Sequence, residues 1–450
     1  MKLLRIIILA IIIVTTILAC EDKTVYTDPM EESVKALDLD AELGEIFALP
    51  DGRAAALVKT TNYDEKGKTN CAIAVIDKNG NYTLSGMIDD YNTCELKYLY
   101  ESSGMYYAKI ESKDAEATGS LYLKLNNNVQ PVYYYIVESN IIDSYNLENN
   151  CFDYQLYAMM DNGKFAEINT VVSNNDNGVK SKCKLRYMHY YDYEFPNKDY
   201  NAFEYDIETA DGFFATDAVT FEDKIIIYNE FDNEFSSKEG EYKSIELDDG
   251  SFQVRHVPYA TIHNEFNEYY ILNYDGSIVK SGKCDLPIQY IRYVDGNIYI
   301  ITSDISLSDE SDNQDIFKWL ITKIDISGNE IYTSDTIKTF GLLGNITIDN
   351  GTLIIPGAVA IDYDNDEGCG TIFLLDDSNG TFKEQILLNY NEITVIPSVI
   401  SPDQNGEYDV FALARHDYDD WNDYKKGDSE MSSGKLFIYH TNDLHKLQRK

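Results

Sequence analysis

From about residue 44 onward, the chain alternates between short apolar runs and polar turns. The runs are rich in Ile, Val, Leu, Tyr and Phe, and turns of Asp or Asn with Gly separate them. Asp and Asn tolerate a positive φ angle and Gly adopts it freely, so such turns are typical of β-hairpins. No amphipathic stretch of more than two helical turns follows residue 43. The pattern predicts an all-β protein.

One hairpin pattern recurs along this part of the chain. Each copy has an apolar or alternating strand, a polar turn of Asp, Asn or Gly, and a second strand. The copies are residues 72–83, 121–132, 268–279, 320–332, 371–382 and 436–444. Their turns repeat after about 50 residues, or about three times that distance across one gap. The turn residues are Asp77, Asn126, Asp275, Asp325 and Asp376, and further hairpins near Asp192 and at residues 248–250 fill the gap.

A second strand pair precedes several of these hairpins, at residues 294–302, 348–356 and 406–412. Two hairpins per period make a four-stranded unit, and such units at ~40–50 residues are typical of β-propeller blades. In shape the chain resembles kelch- or quinoprotein-like β-propellers, although it carries none of their signature motifs. The length beyond the tether, divided by the period of about 50 residues and corrected for insertions, predicts about seven four-stranded blades, with six or eight as alternatives. The last hairpin ends near residue 444, so a strand near residues 46–49 is predicted to complete the final blade and close the ring. Two β-sandwiches or a β-solenoid are the competing architectures.

The first 19 residues have the pattern of a cleaved signal peptide. Lys2 and Arg5 give a positive start, and an apolar run covers residues 6–19. A membrane-spanning helix needs about 20 apolar residues, and this run is shorter.

The apolar run ends in Ile17-Leu18-Ala19-Cys20, which resembles the lipobox of bacterial lipoproteins. That resemblance implies cleavage before Cys20, a diacylglycerol on its thiol and an acylated N-terminus, which together anchor a protein stably in a membrane. It also implies a lipid-anchored location in the cell envelope, on the periplasmic face or at the cell surface. An ordinary secretory signal with a chance cysteine is the alternative.

These patterns divide the chain into three parts. Residues 1–19 are the signal peptide, residues 20–43 are a polar, acidic tether with the lipid on Cys20, and residues 44–450 are the β-propeller domain. One helical turn is predicted in the tether near residues 29–32.

The chain is strongly acidic, with 37 Lys and Arg against 77 Asp and Glu and a formal net charge of −40. This balance excludes most nucleic-acid binders, because phosphate neutralisation needs a basic surface. Five charged runs fall between the predicted second and third strands of a blade: residues 64–68, 232–241, 304–315, 362–367 and 417–430. Since these connections emerge on one side of a propeller, we predict a negative face that favours cations or a basic partner. Plain solvated loops are the alternative.

Alternating carboxylates at Asp362, Asp364 and Asp366 are candidate ligands for a hard cation such as Ca²⁺. The run is not an EF-hand, since Gly368 comes one place late and Phe373 occupies the position of the bidentate Glu. The six histidines have no metal or triad spacing. No catalytic residue and no organic cofactor is predicted.

Six cysteines follow Cys20, and an even number in an exported protein permits disulfides. Cys71 with Cys94, and Cys151 with Cys183, are the nearest pairs in sequence. The alternative is that these cysteines are small hydrophobic residues in strands.

The sequence therefore favours a membrane-anchored lipoprotein with a propeller that binds or scaffolds an envelope protein or a cationic ligand. The rival is a propeller enzyme, a Ca²⁺-dependent hydrolase or lyase acting on a carbohydrate or phosphate ester. An enzyme should bring two carboxylates, or a His and a carboxylate, together in a central pocket.

Overall fold

The structure is a computed structural model in which most of the described residues belong to β-strands, with one short 3-10 helix at Leu444–Leu447. It describes residues 34–49, 51–60, 70–84, 94–102, 105–112, 120–137, 151–159, 165–175, 178–188, 204–210, 213, 215–229, 235–236, 240–246, 252–258, 261–262, 267–304, 317–339, 343–362, 367–388, 394–402, 406–415 and 435–447.

In these ranges the chain folds into a seven-bladed β-propeller, and each blade is a sheet of four antiparallel strands. Blade 1 holds the end of β1 (Val34–Ala48) with β2 (Ala54–Thr60), β3 (Asn70–Ile76) and β4 (Tyr82–Leu84). Blade 2 holds β5 (Cys94–Ser102), β6 (Met105–Ser112), β7 (Ser120–Leu125) and β8 (Pro131–Val137). Blade 3 holds β9 (Cys151–Met159), β10 (Phe165–Asn175), β11 (Gly178–Met188) and β12 (Glu204–Ile207).

Blades 4 and 5 follow the same order, with insertions. Blade 4 holds β13 (Asp217–Phe221), β14 (Lys224–Tyr228), β19 (Glu268–Asn273) and β20 (Ile278–Lys283). Two small sheets are inserted between its second and third strands: β15 (Phe235–Ser236) with β18 (Thr261–Ile262), and β16 (Gly240–Glu246) with β17 (Phe252–Pro258). Blade 5 holds β21 (Ile288–Val294), β22 (Asn297–Ser303), β23 (Phe317–Asp325) and β24 (Glu330–Thr333), and β25 (Ile337–Thr339) also pairs with β23.

The last two blades complete the ring. Blade 6 holds β26 (Thr347–Asp349), β27 (Thr352–Asp362), β28 (Glu367–Asp376) and β29 (Phe382–Leu387). Blade 7 holds β30 (Thr394–Pro402), β31 (Tyr408–Arg415), β32 (Lys435–Thr441) and the start of β1.

Strand β1 closes the ring by belonging to two blades. Its start pairs with β32, from Val34 opposite Tyr439 to Leu37 opposite Leu436. Its end, from Ile46 onward, pairs with β2 as the innermost strand of blade 1. Two predictions were therefore wrong in detail. The strand near residues 46–49 opens the first blade, and the hairpin at 436–444 takes its second strand from the N-terminal side of the chain, because β32 runs into the 3-10 helix.

The N-terminal part of the chain also differs from the prediction where it is described. Strand β1 begins at Val34, so residues 34–43 are strand, although the sequence analysis placed them in the tether. Residues 37–43 alternate apolar and acidic positions, which is a strand pattern, and the start of this strand pairs with β32 as the outermost strand of blade 7. Residues 1–33, with Cys20 and the helical turn predicted near 29–32, lie outside the described residues, as does the hairpin near Asp192.

Apolar side chains fill the spaces between neighbouring blades. Strand β2 shows how, because Ala55 and Leu57 pack toward blade 2, whereas Ala54, Ala56 and Val58 pack toward blade 7. Successive residues of a strand point to opposite faces, so a strand covered on both sides is apolar throughout. Similar buried clusters join blades 3 and 4, 4 and 5, 5 and 6, and 6 and 7.

The two sides of the ring carry different connections. One side carries the loops that join first to second strands and third to fourth strands, and we call it the turn face. The opposite side, with the loops between second and third strands and between blades, is the connection face. The charged runs predicted from sequence come between the second and third strands of blades 1, 4, 5, 6 and 7, and the described strands that flank them end and begin on the connection face. Most residues of these runs lie outside the described residues, so the negative face stays a prediction.

A recurring five-residue loop joins the third and fourth strands of blades 1, 2, 4 and 5 on the turn face. In blade 1 the Asp77 carboxylate accepts backbone N–H bonds from two and four residues later, both at 2.8 Å, and Asp325 does the same in blade 5. In blade 4 the equivalent position is Asn273, two residues before the predicted Asp275. Gly takes the positive φ position in these three loops, but in blade 2 it is Val129, with φ 57°.

No helix in the described part of the chain is long and apolar enough to cross a membrane.

Candidate functional site

The axis of the ring is marked by contacts between blades that are not neighbours. Lys109 on β6 of blade 2 reaches Asp217 on β13 of blade 4, with 3.3 Å between Nζ and Oδ1. Asn345, just before β26 of blade 6, donates its Nδ2–H to the carbonyl of Ile46 in blade 1. Blades 3 and 7 lie between these partners, so both contacts are made near the axis.

The first axial group is a buried ion pair. The side chains of Lys109 and Asp217 are 2% and 9% exposed. The Tyr228 hydroxyl donates to Asp217 Oδ2 at 2.7 Å, and the Ala218 N–H donates to Oδ1 at 2.8 Å. Every oxygen of the carboxylate is thus bonded, which is the condition under which a buried charge is tolerated.

The second axial group centres on Arg292 of β21 in blade 5. Its Nε and Nη2 donate to Asn345 Oδ1, both at 3.3 Å, and its Nη1 donates to the carbonyl of Ile291 at 3.3 Å. The guanidinium carbon lies 4.5 Å from the centre of the Tyr290 ring and 5.5 Å from that of Phe47 in blade 1. Arg292 is only half-buried, so one side of it faces solvent.

The local fold explains why these residues meet. Tyr290 and Arg292 are two apart on one strand, so both side chains point toward blade 6. There the Tyr290 hydroxyl donates to the Gly344 carbonyl at 3.2 Å, and burial raises the pKa of Tyr290 to about 12. The orientation of the Asn345 side-chain amide is determined by two hydrogen bonds, because its oxygen accepts from Arg292 and its nitrogen donates to the carbonyl of Ile46.

In blade 7, near the turn face, one histidine lies between two carboxylates. His440 Nδ1 is 2.7 Å from the buried Asp409 carboxylate, and its Nε2 is 3.2 Å from Glu407. A buried Asp that orients a His is a part of many general-base sites. In this case the second ring nitrogen also faces a carboxylate. Linear spacing gives no signal for this pair, because Asp409 and His440 become neighbours only through the register of β31 with β32.

A further polar cluster joins blades 5 and 6. Lys323 Nζ lies 2.6 Å from Asp377 Oδ2, and the hydroxyls of Tyr299 and Tyr332 donate to Oδ1 at 2.9 and 3.1 Å. Burial, followed by the nearby Asp377 charge, raises the pKa of both tyrosines. The two hydroxyls stay protonated as donors, and the arrangement holds the two blades together.

The residues predicted as a metal site are only partly described. Strand β27 ends at Asp362, which is opposite Glu367 at the start of β28. Asp364 and Asp366 lie in the connection between them, outside the described residues, so Ca²⁺ binding stays a prediction. Within the described ranges no three His, Cys, Asp or Glu side chains are grouped to hold a metal ion.

Three cysteines in the described part are free thiols: Cys183, Cys284 and Cys369. Cys183 was one member of a nearest pair in sequence, and the pairing with Cys151 is not formed. Burial raises the pKa of Cys183 to about 12, and the Thr170 hydroxyl donates to its sulfur at 3.7 Å. Cys183 is therefore a small buried hydrophobic residue, one of the two interpretations left open by the sequence.

No known protein family matches the chain, and no curated protein matches it. Among solved structures, the chain is similar to BamB from Moraxella catarrhalis, with 9% identity and a TM-score of 0.33 over 90% of this chain and 97% of the other. It is also similar to the β-propeller domain of the Trilobed protease from Pyrococcus furiosus, with 11% identity and a TM-score of 0.37 over 90% and 98%. The polysaccharide lyase Uly1 gives 7% identity and a TM-score of 0.37 over 89% and 90%.

Proposed function

We propose that this protein is a bacterial lipoprotein of the cell envelope whose propeller is a binding or scaffolding module for a basic protein or cationic ligand. The observation that carries the proposal is the difference between the two faces of the ring. On the turn face, blades 1, 2, 4, 5 and 6 join their third and fourth strands by short, tightly bonded loops, and in blade 3 residues 189–203 make this connection. In five blades the sequence between second and third strands, on the other side of the ring, includes the acidic runs.

The position of β1 indicates which side of the ring is connected to the N-terminal part of the chain. Third strands run from the connection face to the turn face, and Val34 pairs near the end of β32, at Tyr439. The chain therefore enters the ring from the turn face. A lipid on Cys20 would be joined to this side through a segment that reaches at most roughly 50 Å. The connection face would then point away from the membrane, toward partners.

Electrostatics favour a basic partner. Clustered carboxylates on one face raise the local concentration of cations and speed their association, and the effect falls steeply with salt. With a formal net charge of −40, the whole chain adds to this field. The same field disfavours nucleic acids and anionic membrane surfaces.

The binding proposal is tested with a Lys-rich peptide titrated against the mature protein at several salt concentrations. One variant removes four charges from the sequence between the second and third strands of blade 5, with Asp309→Asn, Glu310→Gln, Asp312→Asn and Asp315→Asn. The matched control removes four exposed charges elsewhere, with Asp206→Asn, Asp223→Asn, Asp295→Asn and Glu330→Gln. We expect the first variant to bind clearly more weakly than the control. Equal loss in both, or binding that does not depend on salt, would contradict the proposal.

The anchor is tested separately by labelling growing cells with a palmitate analogue. We expect the wild-type protein to carry the label and to fractionate with membranes. The Cys20→Ser variant should lose the label and appear in the soluble fraction. A labelled Cys20→Ser protein, or an unlabelled wild type, would contradict the lipoprotein assignment.

A further inference from the structure

Arg292 differs from Arg53, Lys109 and Lys323, which are also buried or half-buried. Arg53 pairs with Asp51 at 2.6 Å, Lys109 with Asp217 at 3.3 Å, and Lys323 with Asp377 at 2.6 Å. Arg292 makes its hydrogen bonds to the neutral oxygens of Asn345 and Ile291, and no carboxylate of the described residues forms an ion pair with it. In a chain with a formal net charge of −40, a half-buried arginine without an acidic partner calls for an explanation.

The guanidinium is held in place from three blades. Asn345 of blade 6 orients it, and that amide is itself tied to the Ile46 carbonyl of blade 1 and, through its backbone N–H, to the Ser398 carbonyl of blade 7. Tyr290 in blade 5 lies against it, with its hydroxyl bonded to blade 6. A cation that is fixed before a ligand arrives loses little conformational entropy on binding.

Two of the N–H groups of the Arg292 guanidinium make none of these hydrogen bonds. A guanidinium has five N–H groups, and three of them are used by Asn345 and Ile291. The remaining two are one on each terminal nitrogen, which is the fork that matches the two oxygens of a carboxylate. Because Arg292 is half-buried, its attraction for an anion is stronger than that of an arginine in bulk water.

The surroundings narrow the class of anion. The half-buried Tyr290 ring, whose centre lies 4.5 Å from the guanidinium carbon, gives the position an aromatic neighbour that is partly exposed, and the Phe47 ring at 5.5 Å is buried behind it. Aromatic rings pack favourably against flat or apolar groups. The acidic exterior repels polyanions far more than a singly charged molecule. We propose that Arg292 is a binding site on the propeller axis for the carboxylate of a small organic monoanion with a flat apolar part.

This site does not depend on the lipid anchor or on the basic partner of the connection face. It would add a small-molecule function to the binding module, with the ligand seated where blades 1, 5, 6 and 7 meet. The proposed peptide binding and the proposed axial site can therefore be contradicted separately. A failure of peptide binding does not affect the axial site, and a failure of the axial site does not affect peptide binding.

The first test uses the wild-type mature protein and phenylglyoxal, which modifies accessible arginines. Peptide mass spectrometry follows the modification rates of Arg292 and Arg53 with benzoate, with its neutral analogue benzamide, and with chloride at equal ionic strength. We expect benzoate to slow modification of Arg292 at least fivefold and to leave Arg53 unchanged. Equal protection by benzamide or chloride would overturn the proposal, and so would an Arg292 that is unreactive in the free protein.

The second test compares variants by saturation-transfer NMR with benzoate. Arg292→Lys keeps the charge but loses the fork, Arg292→Met loses both, and Arg53→Gln is the control on the turn face. Binding should weaken at least tenfold in Arg292→Lys, disappear in Arg292→Met and persist in Arg53→Gln. Unchanged binding in a folded Arg292→Met protein would overturn the proposal. If that variant does not fold, the modification experiment on the wild type decides.

Discussion

Lys109 and Asp217 form a buried ion pair, with 3.3 Å between Nζ and Oδ1, although a complete blade lies between their strands around the ring. Both charges are desolvated, and the Asp217 carboxylate also accepts hydrogen bonds from the Tyr228 hydroxyl and a backbone N–H. The pair therefore links blades 2 and 4 directly, and the loss of either member leaves the other as an uncompensated buried charge.

Replacing Lys109 by Met should lower the free energy of unfolding by about 3–5 kcal/mol, because Asp217 would remain buried without its cation. The double variant Lys109→Met with Asp217→Leu should recover part of this loss, since no charge is left unpaired. Urea unfolding of the two single variants and the double variant measures the coupling.

The matched control for this pair is Lys224→Met. Lys224 pairs with Asp223, whose side chain is 72% exposed, so the change should cost less than about 1 kcal/mol. Equal losses in Lys109→Met and Lys224→Met would contradict the structural role given to the axial pair.

A chain that starts at Ala41 should be much less stable than one that starts at Val34. The shorter chain lacks the part of β1 that pairs with β32, so blade 7 has three strands and the ring is held only by contacts between sheets. We expect a clearly lower melting temperature and greater exposure of apolar surface to a hydrophobic dye. Equal melting temperatures for the two chains would show that β1 does not close the ring.

Gly344→Ala should destabilise the protein by about 1–3 kcal/mol, as overpacking commonly does. An added Cβ would overlap the carbonyl oxygen of Ser398, where blades 6 and 7 meet beside Arg292. The control is Gly357→Ala, whose Cβ would meet the end of the flexible Leu343 side chain. Thermal unfolding compares the two, and we expect a smaller loss in the control.

The contribution of His445 to stability should decrease as the pH rises. The protonated ring donates a hydrogen bond to Glu384 and another to Asp443, and these bonds, the Glu384 bond first, raise the pKa of His445 above the ordinary value of about 6.5. A raised pKa in the folded state stabilises the protein below the unfolded pKa, and this stabilisation is lost as the pH passes the folded value.

The measurement is the difference in melting temperature between the wild type and His445→Gln from pH 5.5 to 8.5. The difference should be largest at pH 5.5. His445 lies in the 3-10 helix, whose Leu444 and Leu447 pack against blades 6 and 7, so its bonds fasten the C-terminal end of the chain. A difference that is constant or grows with pH would contradict this account.

Ca²⁺ binding at Asp362, Asp364 and Asp366 stays a prediction of the sequence. Calorimetry of the mature protein with Ca²⁺ should give measurable heat, which Asp364→Asn should reduce, because each carboxylate lost removes a charged oxygen ligand. Asp335→Asn, on another part of the ring, is the control. The absence of heat with the wild type would remove the metal site, and with it the Ca²⁺-dependent enzyme as a rival function.

The strand content, the four-stranded repeat and the turn positions were determined by the sequence, because they depend on local preferences. Alternation, β-branched residues and turns such as Asp77 to Gly80 act over a few residues, so they are legible in the chain. The prediction of about seven blades and the position of the acidic runs between second and third strands followed from the same local repeat, and the strand order confirms both.

Only the tertiary structure decided which end of the chain closes the ring and which residues meet at its axis. Val34 joins β32, a strand from the opposite end of the chain, and the local pattern of residues 34–43 does not indicate which strand is its partner. Arg292, Asn345 and Ile46 come from three blades, and nothing in their spacing indicates contact. A propeller brings its innermost strands together around one axis whatever their separation in sequence, so its centre is decided by the closed ring and not by any one repeat.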